Sequence, residues 1–164
     1  MYQPANIIPT RMQMYKEYAF IVTPRFRHGV PFTLGRIDMN DESPFNPCLE
    51  PFPSWKANYE TNQEALQNVV DLYLDVEDSL WVLDIGVMFT YQRPTIVQGP
   101  RIFNLCPETG KVRLKILIWR RKFLIISSSG RYVGVVRDRL IILKLFNLAA
   151  FEHIFILFKA KFFG

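Results

Sequence analysis

The chain is poor in the residues that build reactive centres. It has two cysteines, Cys48 and Cys106, and two histidines, His28 and His153, in 164 residues. No cysteine or carboxylate stands at metal-ligand spacing from either histidine, so no zinc or other metal is expected, and no cofactor is implied. There is no Ser-His-Asp set, no glycine-rich phosphate loop, no nucleotide fingerprint and no Asn-x-Ser/Thr sequon. Proline is missing from the last third, since all 11 prolines lie in 1–111. Acid is scarce there too. Residues 112–164 hold 11 Lys+Arg against 2 Asp+Glu, a net of +9, whereas 1–111 hold 9 against 13, a net of −4. The pI near 9.3 therefore belongs to the last third, and a nucleic-acid partner is not expected. A secretory leader is not seen either. Residues 1–20 contain Gln3, Pro4, Pro9, Gln13 and Lys16 and lack an apolar core of about seven residues. Taken alone, that points to the cytosol.

What the chain has in its first two thirds is alternation. Val69–Gly86 reads VVDLYLDVEDSLWVLDIG. Val69, Asp71 and Tyr73 alternate with Val70, Leu72 and Leu74, then Glu77-Asp78-Ser79 makes a polar break before Leu80-Trp81-Val82-Leu83. Period two with β-branched and aromatic residues predicts a hairpin. Asp84 and Gly86 close it, and Gly admits the positive φ of an abrupt exit.

The rest of this part reads in the same way. Ala19–Val22 is a buried strand stopped by Pro24. Arg25–Gly29 is a basic bend, with Arg25 and Arg27 expected as solvated charges or partners of Asp38 or Asp41. Phe32–Ile37 is a further strand, and Leu49–Trp55, spaced by prolines, is an edge segment. Thr61 and Glu64 have capping-box spacing, which predicts one short helical turn in Thr61–Asn68. Val87–Gln98 is a loop. Pro100–Leu105 is a strand, Pro107–Gly110 a turn, and Lys111–Ile116 pairs back. Such strands indicate an all-β sandwich, barrel or propeller, and periodicity does not choose among them. The expected core is Phe20, Val22, Leu34, Leu72, Leu74, Trp81, Leu83 and Phe103.

Four motifs carry a resemblance. They are Pro24–Leu34 (PRFRHGVPFTL), Leu49–Asn58 (LEPFPSWKAN), Leu80–Gly86 (LWVLDIG) and Gly99–Leu105 (GPRIFNL). In that order and spacing they resemble the insect yellow / major royal jelly protein family, over residues 4–111. The resemblance implies a six-bladed β-propeller of four-stranded blades, of which 4–111 is two to three blades' worth of antiparallel strands. It implies a secreted, extracellular parent, Met1 then being internal to a longer chain. It implies family roles in pigmentation through dopachrome conversion, in cuticle or eggshell, or in small amine binding. A small amine or quinone is thus the implied ligand of the full-length parent. A propeller holds ligands at a channel shared by all its blades, so this chain alone is expected neither to bind nor to catalyse.

Some residues depart from the family. It usually places cysteines before the Trp-Val-Leu-Asp hairpin and before the fourth motif, where this chain has Val76-Glu77-Asp78 and Gln98-Gly99. Cys48 and Cys106 are a candidate disulfide in a secreted protein, or two unpaired small apolar residues. Asp84, at a strand end before a glycine, is a candidate amine ligand; the same side chain can cap the next turn instead. Trp81, inside an apolar run, reads as core rather than as a stacking platform.

Residues 112–164 form a second region, a basic apolar tail without family match, for which a helix is one expectation. It is about 60% apolar. Leu140–Phe158 is long enough to span a bilayer, but Lys144, Glu152 and His153 are costly there. It reads as a membrane anchor, a soluble apolar helix, or translated sequence that is not native to the family. For the last, Lys111-Val112-Arg113 can be encoded AAG-GTA-AGA, which contains the GTAAG of a 5′ splice site. The competing functions are a membrane-associated protein held by this tail, or a small β interaction module.

Overall fold

Alternating apolar residues and tight turns set the strands in the computed structural model, which describes residues 2–40, 47–119, 122–127 and 132–136. Strand β1 (Arg11–Tyr15) and strand β2 (Tyr18–Val22) form a hairpin turned at Lys16-Glu17, with Lys16 at φ 52°. Strand β3 (Leu34–Asp38) pairs with β2, and the short β4 (Glu50–Pro51) pairs with β3. The proline sits on the edge, where no ladder N–H is required of it.

The second sheet opens with β5 (Val69–Leu74) and β6 (Leu80–Asp84), the hairpin read from the sequence. Its turn is built by Asp75, whose Oδ1 accepts the Glu77 and Ser79 backbone N–H groups, each at 2.9 Å. A small ribbon of β7 (Val87–Met88) and β8 (Thr95–Ile96) interrupts the connection to β9 (Arg101–Leu105). Then come β10 (Val112–Trp119), β11 (Lys122–Ser127) and β12 (Tyr132–Val136). The spatial order is β5-β6-β9-β10-β11-β12, and every pairing is antiparallel.

The two sheets pack face to face. Tyr15, Phe20, Val22, Leu34 and Phe52 from the first meet Leu72, Leu80, Val82, Phe103 and Leu105 from the second. Of the expected core, Leu74 alone is only partly buried; Trp81 is 3% exposed and donates Nε1–H to Asp75 Oδ2 at 2.7 Å. The fold is therefore all-β, antiparallel and without a closed barrel among the described residues. Its helical content there is two 3₁₀ turns, Pro4–Asn6 and Lys56–Asn58.

Val87–Gln98, expected as a loop, carries the β7–β8 ribbon, and two further expectations need correction. The capping box at Thr61 and Glu64 does not form. The Glu64 backbone N–H goes to Asn62 Oδ1 at 3.0 Å, while its carboxylate reaches Lys115 at 2.6 Å, so residues 61–65 are turns. The tail is also not helical where it is described. Beyond Val112 it supplies β10, β11 and β12, and Ile116 is fully buried on the sheet. Alternating, β-branched sequence beside an open strand gains ladder hydrogen bonds in the extended state. Leu140–Phe158 lies outside the described residues. Among those described, no helix is long and apolar enough to cross a membrane.

Candidate functional site

The connection that leads from the first sheet to the second crosses one end of the molecule, and a buried polar junction holds it there. Its centre is Arg25, at the exit of β2. The side chain is fully buried. Its guanidinium has five N–H groups, and they find five backbone carbonyls. Nε donates to Val30 O at 3.2 Å; Nη1 donates to Leu66 O at 3.1 Å and Gln67 O at 2.7 Å; Nη2 donates to Pro31 O at 3.0 Å and Asn58 O at 2.5 Å. Burial pushes this guanidinium below its ordinary pKa, and the charges of Glu60 and Asp84 oppose that. The expectation of a solvated Arg25 is overturned; Arg27, two residues on, is the exposed one. Asp38 instead accepts the Asn40 backbone N–H at 2.9 Å.

Asn58 and Thr33 complete this side. Asn58 Oδ1 accepts the Thr33 and Leu34 N–H groups at 3.1 and 3.3 Å, and its Nδ2 donates to Phe52 O and Ser54 O, both at 3.0 Å. Thr33 Oγ1 accepts the Val69 N–H at 2.7 Å, which ties the residue before β3 to the first residue of β5. Asn68 bridges the loops, accepting the Arg25 N–H at 2.8 Å and donating to Val87 O at 2.6 Å.

Asp84 anchors the other side. It is fully buried, and its Oδ2 accepts from Arg101 Nη2 at 2.7 Å and the Gln67 N–H at 3.1 Å. Its Oδ1 accepts the N–H groups of Asn68 at 2.9 Å and Gly86 at 3.0 Å. The bond to Gly86 is a turn cap; the others fasten the connection. Arg101 in turn donates to Gln63 O and Ala65 O at 3.0 and 2.5 Å. The carboxylate thus spends its lone pairs inside the protein. Beside Arg101 runs an open groove of about 420 Å³, crossed by the Lys115–Glu64 ion pair.

The other candidate residues are dispersed. Cys48 and Cys106 are both free thiols, the first exposed and the second half-buried. A hydrogen bond from the Thr109 hydroxyl, then one from its backbone, draws the Cys106 thiol down to about 7. His28 is exposed and its ring lies 3.6 Å from that of Phe89, centroid to centroid. Among the described residues no group of His, Cys, Asp and Glu is placed to hold a metal ion.

Five polar residues of the junction come from the four motifs: Arg25 and Thr33 from the first, Asn58 from the second, Asp84 from the third and Arg101 from the fourth; Gln67 and Asn68, between the second and third, join them. Sequence reasoning finds the motifs but not their meeting, because the carbonyls that receive Arg25 lie up to 42 positions away. The chain is similar to Protein yellow of Drosophila pseudoobscura pseudoobscura, 32% identical over 114 residues that cover 68% of this chain and 19% of that protein. It is similar to Protein yellow of Drosophila melanogaster, 31% identical over 114 residues, with the same shares of 68% and 19%. For Protein yellow of Drosophila subobscura the identity is 32% over 109 residues, covering 65% and 17%. The chain spans about a fifth of the length of these curated relatives. A scan against protein-family models gives no match. With the motif residues gathered in one junction and these relatives matched across two thirds of its length, the chain belongs to the yellow / major royal jelly protein family.

Proposed function

We propose that the chain supplies two adjoining blades of a secreted, six-bladed yellow-family β-propeller, and that the whole ring handles a small amine or quinone in pigmentation. The observation that carries this is the four-stranded meander β1-β2-β3-β4 packed face to face, over one core, on the first four strands, β5-β6-β9-β10, of the six-stranded second sheet. A propeller repeats such sheets around a central channel. A site on that channel needs groups from several blades held in place together. Dopachrome conversion therefore belongs to the longer protein, and the two sheets described for this chain do not support it alone.

The same reading takes residues from Val112 onward as sequence foreign to the family. The position of β10 asks only for alternating apolar residues, which Leu114, Ile116 and Ile118 supply. Two measurements test the proposal. Purified chain should bleach dopachrome no faster than a heat-treated control, while a longer product carrying the remaining strands should do so faster. Sequencing of the transcript across the codon for Lys111 should find a junction to an exon encoding further strands. Turnover by this chain alone, or mature transcript running unbroken through the codons for 112–164, would count against it.

A further inference from the structure

The groove beside Arg101 has an apolar floor and a basic end. Pro100, Leu117 and Ile118 line it together with Arg101 and Lys115, and Glu64 stands at its rim. Strand register sets this arrangement. Leu117 pairs with Arg101 and Lys115 with Phe103 across β9 and β10, so the four side chains share one face of the second sheet. The two cations lie against a single ring: Arg101 Cζ is 5.0 Å and Lys115 Nζ 5.8 Å from the centroid of Phe103. Apolar walls with a few converging polar groups are the usual build of a small-ligand site.

The charges at the basic end are unevenly met. Asp84 balances Arg101 from inside the protein at 2.7 Å. Lys115 is met by Glu64 at 2.6 Å, and the two differ in setting: the Lys115 side chain is 18% exposed and that of Glu64 80%. An acid that stands in water gives up such a contact at little cost. A cation drawn into the groove does not, because it then lacks an anion. The hydrogen bond from Lys115, and then its charge, hold the Glu64 carboxyl below its ordinary range, and the charge of Arg101 adds to this. Both cations therefore act where that carboxylate sits. Arg101 also has a donor unspent. Its Nη1 and Nη2 are taken by Gln63 O, Ala65 O and Asp84 Oδ2, while Nε is buried and without an acceptor among the described residues. Glu64 thus holds the place of an anion.

We propose that this groove binds an aliphatic monocarboxylate, whose carboxylate takes the place of Glu64 on Lys115 and whose chain lies along Pro100, Leu117 and Ile118. A single negative charge suits it, because Asp84 already balances Arg101 and the departure of Glu64 frees one positive charge. Lys115, Leu117 and Ile118 lie beyond the four motifs, so the site belongs to this chain and not to the family match. The test titrates the full chain at neutral pH with octanoate, acetate and octylamine, followed by calorimetry. Each methylene buried adds about fourfold to affinity, so octanoate should bind at least about tenfold more tightly than acetate even in an open groove. Octylamine, with the same chain and the opposite charge, should bind at least about fivefold more weakly than octanoate. Lys115→Gln should weaken octanoate by about tenfold. Glu64→Gln removes the resident acid and should tighten octanoate by about threefold, which a merely supporting role for the ion pair would not produce. That variant changes a side chain standing in solvent, so it reports even where Lys115→Gln fails to fold. The proposal is overturned by an absence of octanoate binding, by acetate or octylamine binding as tightly as octanoate, by a folded Lys115→Gln that binds octanoate unchanged, or by Glu64→Gln that binds it no more tightly than the parent chain.

Discussion

Asp84 and Arg101 are direct register partners on neighbouring strands, and their side chains meet at 2.7 Å with the pair almost wholly buried. A cross-strand pair of opposite charge on an open sheet contributes little. Here both ions have left water, and each is held by backbone groups of the connection as well as by the other. Removing either partner leaves a charge with nothing to balance it. Asp84→Asn and Arg101→Met should each lower stability by about 3–5 kcal/mol. The double variant should lose less than the sum. Urea unfolding of the three variants and the parent chain measures this.

Arg25→Lys keeps the charge and loses the fork. An ammonium has three N–H donors to offer where five carbonyls wait. At least two acceptors, one or both of them buried, are then orphaned, a buried one at about 1–3 kcal/mol. Urea unfolding should show a loss of about 2 kcal/mol or more.

Gly86 and Gly99 should respond oppositely to alanine. Gly86 has φ +66°, and a Cβ there would stand 2.4 Å from Gln98 O, a backbone atom. Gly99 has no atom nearer than Ile118 O at 3.5 Å. Thermal melting should show Gly86→Ala destabilised by about 1–3 kcal/mol and Gly99→Ala changed by less than about 1 kcal/mol.

Cys106 should alkylate with a midpoint near pH 7, against an ordinary thiol value of 9.0. Thr109→Val removes the hydroxyl that is the largest cause, so the midpoint should move up. Because folding favours the thiolate, the group adds stability above the unfolded thiol value and loses it as pH falls through about 7. Iodoacetamide labelling across pH, read by peptide mapping, follows Cys106 by itself.

Strands are legible in this sequence where one face is buried, because period two leaves one arrangement that puts Leu72, Leu80, Val82 and Phe103 together. Turns are legible where the cause is local, as in the cap from Asp84 to the Gly86 N–H. Arg25 shows what is not. A basic residue in a bend reads as solvated, and no nearby residue announces the carbonyls arriving from Asn58, Leu66 and Gln67. The capping box fails for the converse reason. Its local signal is genuine, but Asn62 and Lys115 take the two Glu64 groups it needs.

The way Arg25, past the end of β2, and Arg101, on β9, grip residues 58–67 has a consequence for how the chain comes apart. The link between the sheets is not a hinge. Each sheet holds it through carbonyls that would otherwise be buried and bare, so neither can open while the other stays closed. Amides at the start of β5, such as Val69, which donates to Thr33 just before β3, should exchange with solvent only when the β2–β3 ladder does. The two sheets should therefore unfold together, as one cooperative unit.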